Sequence, residues 1–496
     1  MLYFRMFFLM ILGVFSSRIV LEALGESDYG IYSVVGGVVA MFGLVSGSLS
    51  TTINRFLAFE MGQGESAQIG KVYSTSVNVQ ILLSVLIVIV AEPVGLWFID
   101  NKMTIPPDRI EAARLVMHFS LLSFVINLLS VPQMAAITAY EKMSAYAWVG
   151  MLDGVLRFGA ALAISVAASD RLVLYGTLMA GVVLAVRCAY GIYCRKFIPE
   201  CRYQFIYDKS LLKQMTKFAG WSFIGVTSGV LRDQGGNVLI NIFFTPAVNA
   251  ARALAFQLNG TVQNFVTNFM TAVNPQITKS FSAGDFDYMH SLVRRSSRMS
   301  FYLLFILSLP ILFNTDFLLG LWLASVPETT ASFTRLFIIF ALSESISNPL
   351  ITAMLATEEI RQYQIVVGGL QLLNLPISYI FLKMGFPPQT TVVVAIVMSQ
   401  ICLAARLGLL RKMINLSVRT FLKRIYLNVL KVASIGFLLT YMATRLLPVG
   451  TLGSCMSLLI CVLIAFLSCA FVGMSSSERL EVMAMLKNRI RNDQDN

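Results

Sequence analysis

The sequence predicts an all-α integral membrane protein of about fourteen transmembrane helices, arranged as two parallel six-helix lobes followed by two additional helices. The first observation behind this is composition. Of 496 residues, 57% are hydrophobic and 13% charged, with a mean hydropathy of +0.74; ordinary soluble domains carry about 25% charged residues. The second is a succession of apolar runs of about 20 residues, each long enough to span roughly 30 Å of hydrocarbon. The third is a self-similarity at a shift of about 220 positions, which divides the chain in two.

The apolar runs fall at 2–24, 31–54, 74–99, 114–138, 145–168, 171–194, 218–243, 249–277, 297–323, 332–356, 363–385, 389–410, 424–446 and 452–473. The first is as long as the others and lacks a small-residue cleavage site, so no cleavable leader is read there. In the self-alignment, Thr51-Thr52-Ile53-Asn54 answers to Thr271-Ala272-Val273-Asn274, and Gly64 to Gly284. Gly95-Leu96-Trp97 returns as Gly320-Leu321-Trp322, and Arg114-Leu115 with Phe119 as Arg335-Leu336 with Phe340. Ala139-Tyr140-Glu141 matches Ala356-Thr357-Glu358. Six spans per copy start both copies on the same membrane side, a transporter arrangement with a site between the lobes at mid-depth. The expected divisions are a lobe at 1–196, a basic linker at 197–217, the second lobe at 218–412, two further helices at 413–473 and a tail at 474–496. In that tail, Ser475 and Glu478 stand in capping-box register, with Leu480, Met483, Leu486 and Ile490 on one face. A short helix on the membrane surface and a solvated tail both fit this pattern.

The formal charge of +12 and pI near 9.4 follow from topology. Positives gather in alternate loops: Arg195, Lys196, Arg202, Lys209, Lys213 and Lys217; then Lys279, Arg294, Arg295 and Arg298; then Arg406, Arg411, Lys412, Arg419, Lys423 and Arg424. By the positive-inside rule these loops and both termini are cytoplasmic. Anionic lipid accounts for the basicity, and no nucleic-acid partner is implied. The seven cysteines have no CxxC spacing and read as packing residues or free thiols. With two histidines and no carboxylate cluster at ligand spacing, neither a metal site nor a cofactor is expected.

A polar seam runs from Arg232 to Lys279. Gln257, Gly260, Thr261, Asn264, Thr267, Asn268, Thr271 and Asn274 recur on one helical face, with Leu258, Val262, Phe265, Val266, Phe269 and Met270 opposite. The expectation is a wall between lipid and a wet cavity; the alternative is that these polar groups hydrogen-bond neighbouring helices. Charges inside spans cost roughly 2.5 to 3.5 kcal/mol each at a helix centre and therefore mark candidate sites. Arg232 and Asp233, being adjacent, point about 100° apart and are not expected to neutralise each other. Asp153 and Arg157, like Arg18 and Glu22, are four apart with suitable geometry for internal pairs. Arg55 ends the second span and reads equally as an anchor. Arg252 lies about 140° from the polar stripe. Glu344 has no local partner and, with Asp153 and Asp233, is a candidate for ion coupling. Pro93, Pro275, Pro310 and Pro349 interrupt or end spans.

Several stretches carry a family resemblance: SRIVLEALGESDYGIYSVVGG, NRFLAFEMGQGE, AITAYEKM, NIFFTPAVNAARALA, NPQITKSF, LWLASVP and ATEEIRQYQ. Over about residues 1–412 the chain resembles the polysaccharide-transporter branch of the MOP exporter superfamily, the O-antigen flippases. Thr245 stands where that pattern would place glycine. The resemblance implies a multi-pass bacterial inner-membrane protein, not an enzyme, that turns undecaprenyl-diphosphate-linked oligosaccharides outward by alternating access for lipopolysaccharide and other surface polysaccharides. Its partners would be the lipid-linked oligosaccharide, membrane lipids, and polysaccharide polymerases or ligases. The resemblance also implies a cationic cavity for the diphosphate, to which Arg18, Arg55, Arg232 and Arg252 could contribute. Gln257, Asn264 and Asn268 would hold sugar hydroxyls. The alternatives are an ion-coupled multidrug antiporter of the same superfamily, which would favour an acidic cavity, and a membrane polymerase or ligase, which would need a sizeable extramembrane loop. No GxxxxGK[ST] motif is present, so coupling to an ion gradient is expected, with Asp153 first and Glu344 second as carrier.

Overall fold

The computed structural model describes residues 2–40, 42–64, 68–101, 105–168, 170–206, 208–323, 326–357, 359–448, 450–474 and 478–479, and no strand occurs among them. The chain forms two compact units: Met1–Thr227 with Asn274–Asp285, and Ser228–Val273 with Phe286–Asn496. The helices are α1 (Leu2–Ala40), α2 (Gly43–Gly62), α3 (Ile69–Asn101), α4 (Ile110–Ala139), α5 (Met143–Ser165), α6 (Arg171–Phe197), α7 (Lys209–Phe243), α8 (Pro246–Ser282) and α9 (Phe286–Phe313). They continue as the short α10 (Thr315–Trp322), α11 (Thr330–Ala356), α12 (Ile360–Lys383), α13 (Thr390–Ile414), α14 (Val418–Thr444) and α15 (Thr451–Gly473).

All fourteen predicted spans fall on helices, and ten helices among the described residues are long and apolar enough to cross a membrane. The other predicted spans lie on α1, α2, α7 and α8, and α7 and α8 hold the polar seam. The residue distribution is that of a multi-pass membrane protein. On α3, Leu82 and Ile89 are 67% and 64% exposed while Ser76 and Gln80 are fully buried at 0%. An apolar face turned outward over a polar face turned inward suits a hydrocarbon solvent.

Several predicted boundaries move. Spans one and two do divide between 24 and 31, where the non-helical Gly25 kinks α1, but the second helical segment ends at Ala40 instead of continuing to 54. The Gly25 backbone (φ 74°, ψ 170°) lies in a region essentially restricted to glycine. Beyond the kink, Asp28 is buried and accepts a hydrogen bond from Arg109, which also donates to Asp170 at 2.7 Å. Asp170 in turn caps α6 by accepting from the Leu172 and Val173 amides. The predicted linker is shorter than expected, since Lys209, Lys213 and Lys217 already belong to α7. Arg294, Arg295 and Arg298 likewise lie on α9 instead of in a loop. Pro93, Pro275 and Pro310 sit inside helices, and Pro349 opens the second segment of α11. Apart from Glu478 and Arg479, the predicted tail helix lies outside the described residues.

A small-residue seam joins α1 to α5. A Cβ on Gly154 would meet Leu9 at 2.2 Å, and one on Gly150 would meet the Arg5 side chain at 2.8 Å. Gly150 and Gly154 form a small-xxx-small pair that admits side chains of α1 onto the α5 backbone. In the second unit, Ile240 of α7, Ala251 and Ala255 of α8, Phe333, Phe337 and Phe340 of α11, and Val392 of α13 form one core cluster. That cluster supports the charged residues described next.

Candidate functional sites

In the second unit, Arg232 and Asp233 of α7 pair directly, with Arg232 Nε donating to Asp233 Oδ1 at 2.9 Å. This overturns the expectation from their 100° separation. The long arginine side chain swings back across the helix surface, whereas the angle describes only where the Cα–Cβ bonds point. The Arg232 guanidinium also lies 5.2 Å from the Phe340 ring centroid. Arg252 of α8 is 4% exposed and turns toward α7, away from the polar stripe. It donates to Asn237 Oδ1 and, at 3.1 Å, to the Asp233 carbonyl, with Phe337 5.4 Å away. Gly236 permits this approach, since a Cβ there would stand 2.4 Å from Arg252 Nη2.

Glu344, expected to lack a local partner, has one from a distant part of the sequence. Arg406 of α13 places Nη1 3.8 Å from Glu344 Oε1. Arg406 was assigned to a basic loop, yet it is fully buried inside the helix and lies in the electrostatic field of Tyr363 and Glu344. Arg232, Asp233, Glu344 and Arg406 thus belong to one set of interacting charges. Beside them Arg232, Asp233, Gly236 and Arg252 line a void of about 20 Å³ together with Phe337, Phe340 and Asn374. Such a volume holds about one water molecule, so in this state the arginines are packed around and no headgroup fits between them.

The polar face of α8 is open. Gln257, Asn264 and Thr267 are exposed and Asn268 is half-buried, while Val262, Val266 and Met270 opposite are buried. Two of its side chains bond along their own helix: Asn268 donates to the Asn264 carbonyl at 2.8 Å and Thr271 to the Thr267 carbonyl at 2.8 Å. Back-bonding of this kind satisfies hydroxyls locally. It leaves a row of amides presented outward.

The first unit holds a different cavity, of about 500 Å³. Asp153 and Arg157 of α5 pair across one turn at 2.8 Å, and both remain about one-third exposed. Tyr29, Tyr32 and Tyr175 line the same space, with Leu9 and Gly13 of α1. The remaining candidates stand apart from both places. Arg18 pairs with Glu22 at 2.8 Å on an exposed face of α1. Arg55 is buried under rings, its guanidinium 4.4 Å from the Phe59 centroid, 4.7 Å from Phe56 and 5.5 Å from Phe218. These contacts make Arg55 a cation–π anchor.

Sequence reading missed Arg406, Asn237, Gly236 and the three tyrosines. The Gly235-Gly236 pair within a helix was the available signal, because glycine in a helix interior costs stability unless a close approach requires it.

No family model and no curated protein sequence matches the chain. Solved structures do match. A MOP superfamily transporter from Pyrococcus furiosus, described as having a binding pocket of reverse polarity that suggests a different function, aligns with TM-score 0.70 and 12% identity over 84% of this chain and 94% of its own. An outward-facing multidrug-resistance MATE family transporter of the same superfamily aligns with TM-score 0.72 and 12% identity over 84% and 94%. A MATE structure in complex with MaD3S gives 0.70 and 12% over 84% and 95%. The chain has the fold of MOP superfamily transporters of the MATE type.

Proposed function

We propose that this protein is a flippase of the polysaccharide-transporter branch, moving undecaprenyl-diphosphate-linked oligosaccharides across a bacterial inner membrane for O-antigen and related surface glycans. The observation that carries the reading is the charge balance around the α7–α8 void, where Arg232 and Arg252 face a single carboxylate, Asp233. Two guanidinium forks against one acid suit a diphosphate, which accepts bidentate, charge-assisted hydrogen bonds. The exposed amides of α8, Gln257, Asn264 and Asn268, supply donors and acceptors for sugar hydroxyls. Admitting a headgroup requires the void to open, as alternating access would provide. Both termini are taken as cytoplasmic from the lysine and arginine distribution. Polysaccharide polymerases or ligases would receive the product on the far side.

An ion-coupled antiporter of cationic compounds is the second reading. It is favoured by the tyrosine-lined cavity around Asp153, because aromatic faces and a carboxylate attract cations. Deleting the gene separates the two. The flippase reading expects a lipid-linked glycan to accumulate on the cytoplasmic leaflet, with unchanged tolerance of cationic drugs. Normal surface glycan together with drug sensitivity would establish the antiporter instead.

A further inference from the structure

Far along the chain from the arginines of α7 and α8, the second unit has another cavity, of about 620 Å³. It lies where α9 and α14 begin and α15 ends. Arg294, Arg295 and Arg298 of α9 line it together with Lys423, Arg424 and Lys431 of α14, against one carboxylate, Glu478, which pairs with Arg298. Behind two of its lining residues the Tyr302 hydroxyl lies 2.5 Å from Asn428 Oδ1 and 2.9 Å from the Gly473 carbonyl, so its one hydrogen is shared between the two acceptors. A Cβ on Gly473 would meet the Tyr302 hydroxyl at 2.7 Å, so glycine there admits the tyrosine.

The backbone is also unusual here. Leu422–Tyr426 and Cys469–Gly473 are π-helical segments, and both contribute lining residues. A π turn inserts a residue into a helix, re-aims the side chains around it and is frequent at functional sites. In α14 the insertion falls on Lys423 and Arg424. Large apolar residues stand beside the cations on the outer surface: Leu427, Leu430 and Phe471 are 49%, 46% and 64% exposed. Among the lining residues cations outnumber acids, and Arg294 lies in the field of Arg424 and Arg298 as well as that of Asp287, so an added anion would be attracted there.

We infer that this cavity binds the phosphate headgroup of an anionic phospholipid, with its acyl chains lying along Leu427, Leu430 and Phe471. Basic pockets between transmembrane helices recognise anionic headgroups in this way. The exposed apolar flank favours a lipid over free phosphate, and the volume is far larger than one phosphate needs. The inference does not depend on the identity of the transported substrate.

The test uses the full chain purified in neutral detergent and delipidated, with the thermal unfolding midpoint followed during titration, since a ligand of the native state raises it. Phosphatidylglycerol should raise the midpoint, whereas phosphatidylcholine and millimolar inorganic phosphate should leave it in place. The triple variant Lys423→Gln, Arg424→Gln, Lys431→Gln should bind phosphatidylglycerol about a hundredfold more weakly, at roughly 1 kcal/mol per lost cation near a membrane surface. The single variant Glu478→Gln removes the competing carboxylate and should bind more tightly; it keeps the test available if the triple variant does not fold. Wild-type affinity in the triple variant, unchanged or weaker binding in Glu478→Gln, or an equal shift with inorganic phosphate would overturn the lipid assignment. None of these readouts involves transport, so failure here leaves the proposed function standing, and the reverse.

Discussion

Asp153–Arg157 in the first unit and Arg232–Asp233 in the second are both carboxylate–guanidinium pairs within helices, with nearly equal separations of 2.8 and 2.9 Å. Their surroundings differ. The first opens on a cavity of about 500 Å³ lined by tyrosines. The second borders a void of about 20 Å³ and has Arg252 packed against it. A one-to-one pair beside a roomy, hydroxyl-lined space can separate at modest cost, because water and phenols solvate the freed charges. A packed cluster with excess positive charge costs much more to break, since a buried charge that loses its partner is left uncompensated. The difference suggests a division of labour. The second unit holds a packed cluster in which guanidinium groups outnumber acids, and the first holds a one-to-one pair bordering open space.

The largest effect should come from Arg252. Arg252→Gln removes the guanidinium that joins α8 to Asn237 and the Asp233 carbonyl. Glycan export in a complementation assay should fall about a hundredfold, equivalent to about 3 kcal/mol, with insertion into the membrane retained. Lysine at this position should restore only part of the activity, because it keeps the charge but loses the planar fork. The double variant Arg232→Gln, Asp233→Asn preserves net charge and should also lose export. Full export by that variant would make the pair a neutral scaffold.

Gly236→Ala should be nearly as informative. Alanine favours a helix over glycine by about 1 kcal/mol, so α7 gains propensity while its new Cβ displaces Arg252. An about tenfold loss of export with undiminished thermal stability is the expected combination. Gly235→Ala would instead press on Leu375 at 2.4 Å and should lower stability as well.

For the first unit, the exchange Asp153→Arg, Arg157→Asp keeps a pair but moves the titratable group by one turn. If Asp153 couples ion flow, export should drop several-fold and its dependence on the proton gradient should change. Wild-type export with unchanged gradient dependence would leave Asp153 structural and shift attention to Glu344.

A smaller effect is expected at Glu141, in the turn after α4. Burial raises its carboxyl pKa, but hydrogen bonds from Lys279 and Gln276 outweigh burial and hold it below the usual carboxylate range. A depressed carboxylate contributes stability that is complete above its unfolded pKa of 4.5 and is lost as pH falls through the lower folded value. The unfolding midpoint of wild type should therefore fall more steeply below about pH 4.5 than that of Glu141→Gln.

The smallest effects belong to the ion pairs of two arginines that align in the predicted repeat, Arg114 and Arg335. Arg114 reaches Asp100 at 2.9 Å and Arg335 reaches Asp316 at 2.6 Å. Removing either should cost less than about 1 kcal/mol in thermal unfolding. Arg114→Gln should cost slightly more, because Arg114 uses two nitrogens on Asp100 while Asp316 is 76% exposed.

The helices were legible because hydropathy and length operate locally, although the run 31–54 divides between α1 and α2 and the run 297–323 between α9 and α10. Gly64 and Gly284, aligned in the predicted repeat, both adopt positive φ. The i,i+4 pairs Arg18–Glu22 and Asp153–Arg157 could be read because they too are local. What stayed hidden depends on contacts distant in sequence. Glu344 meets Arg406 only when α11 packs on α13, and Arg252 turns toward Asn237 because Gly236 leaves room. Adjacency misled at Arg232, where side-chain length overrides the angle between Cα–Cβ bonds. The basic cavity of α9 and α14 was invisible because its cations read as loop charge, whereas Arg294, Arg295 and Arg298 lie on a helix and Lys423 and Arg424 in a π-helical segment.

The central claim is that fixed cations in the second unit handle a diphosphate-bearing lipid. The most direct measurement is transbilayer movement of an undecaprenyl-diphosphate-linked oligosaccharide in proteoliposomes holding wild type or Arg252→Gln, with efflux of a cationic dye measured in the same vesicles. Lipid translocation is expected from wild type, about a hundredfold less from Arg252→Gln, and no dye efflux from either. Dye efflux by both proteins without lipid translocation would contradict it.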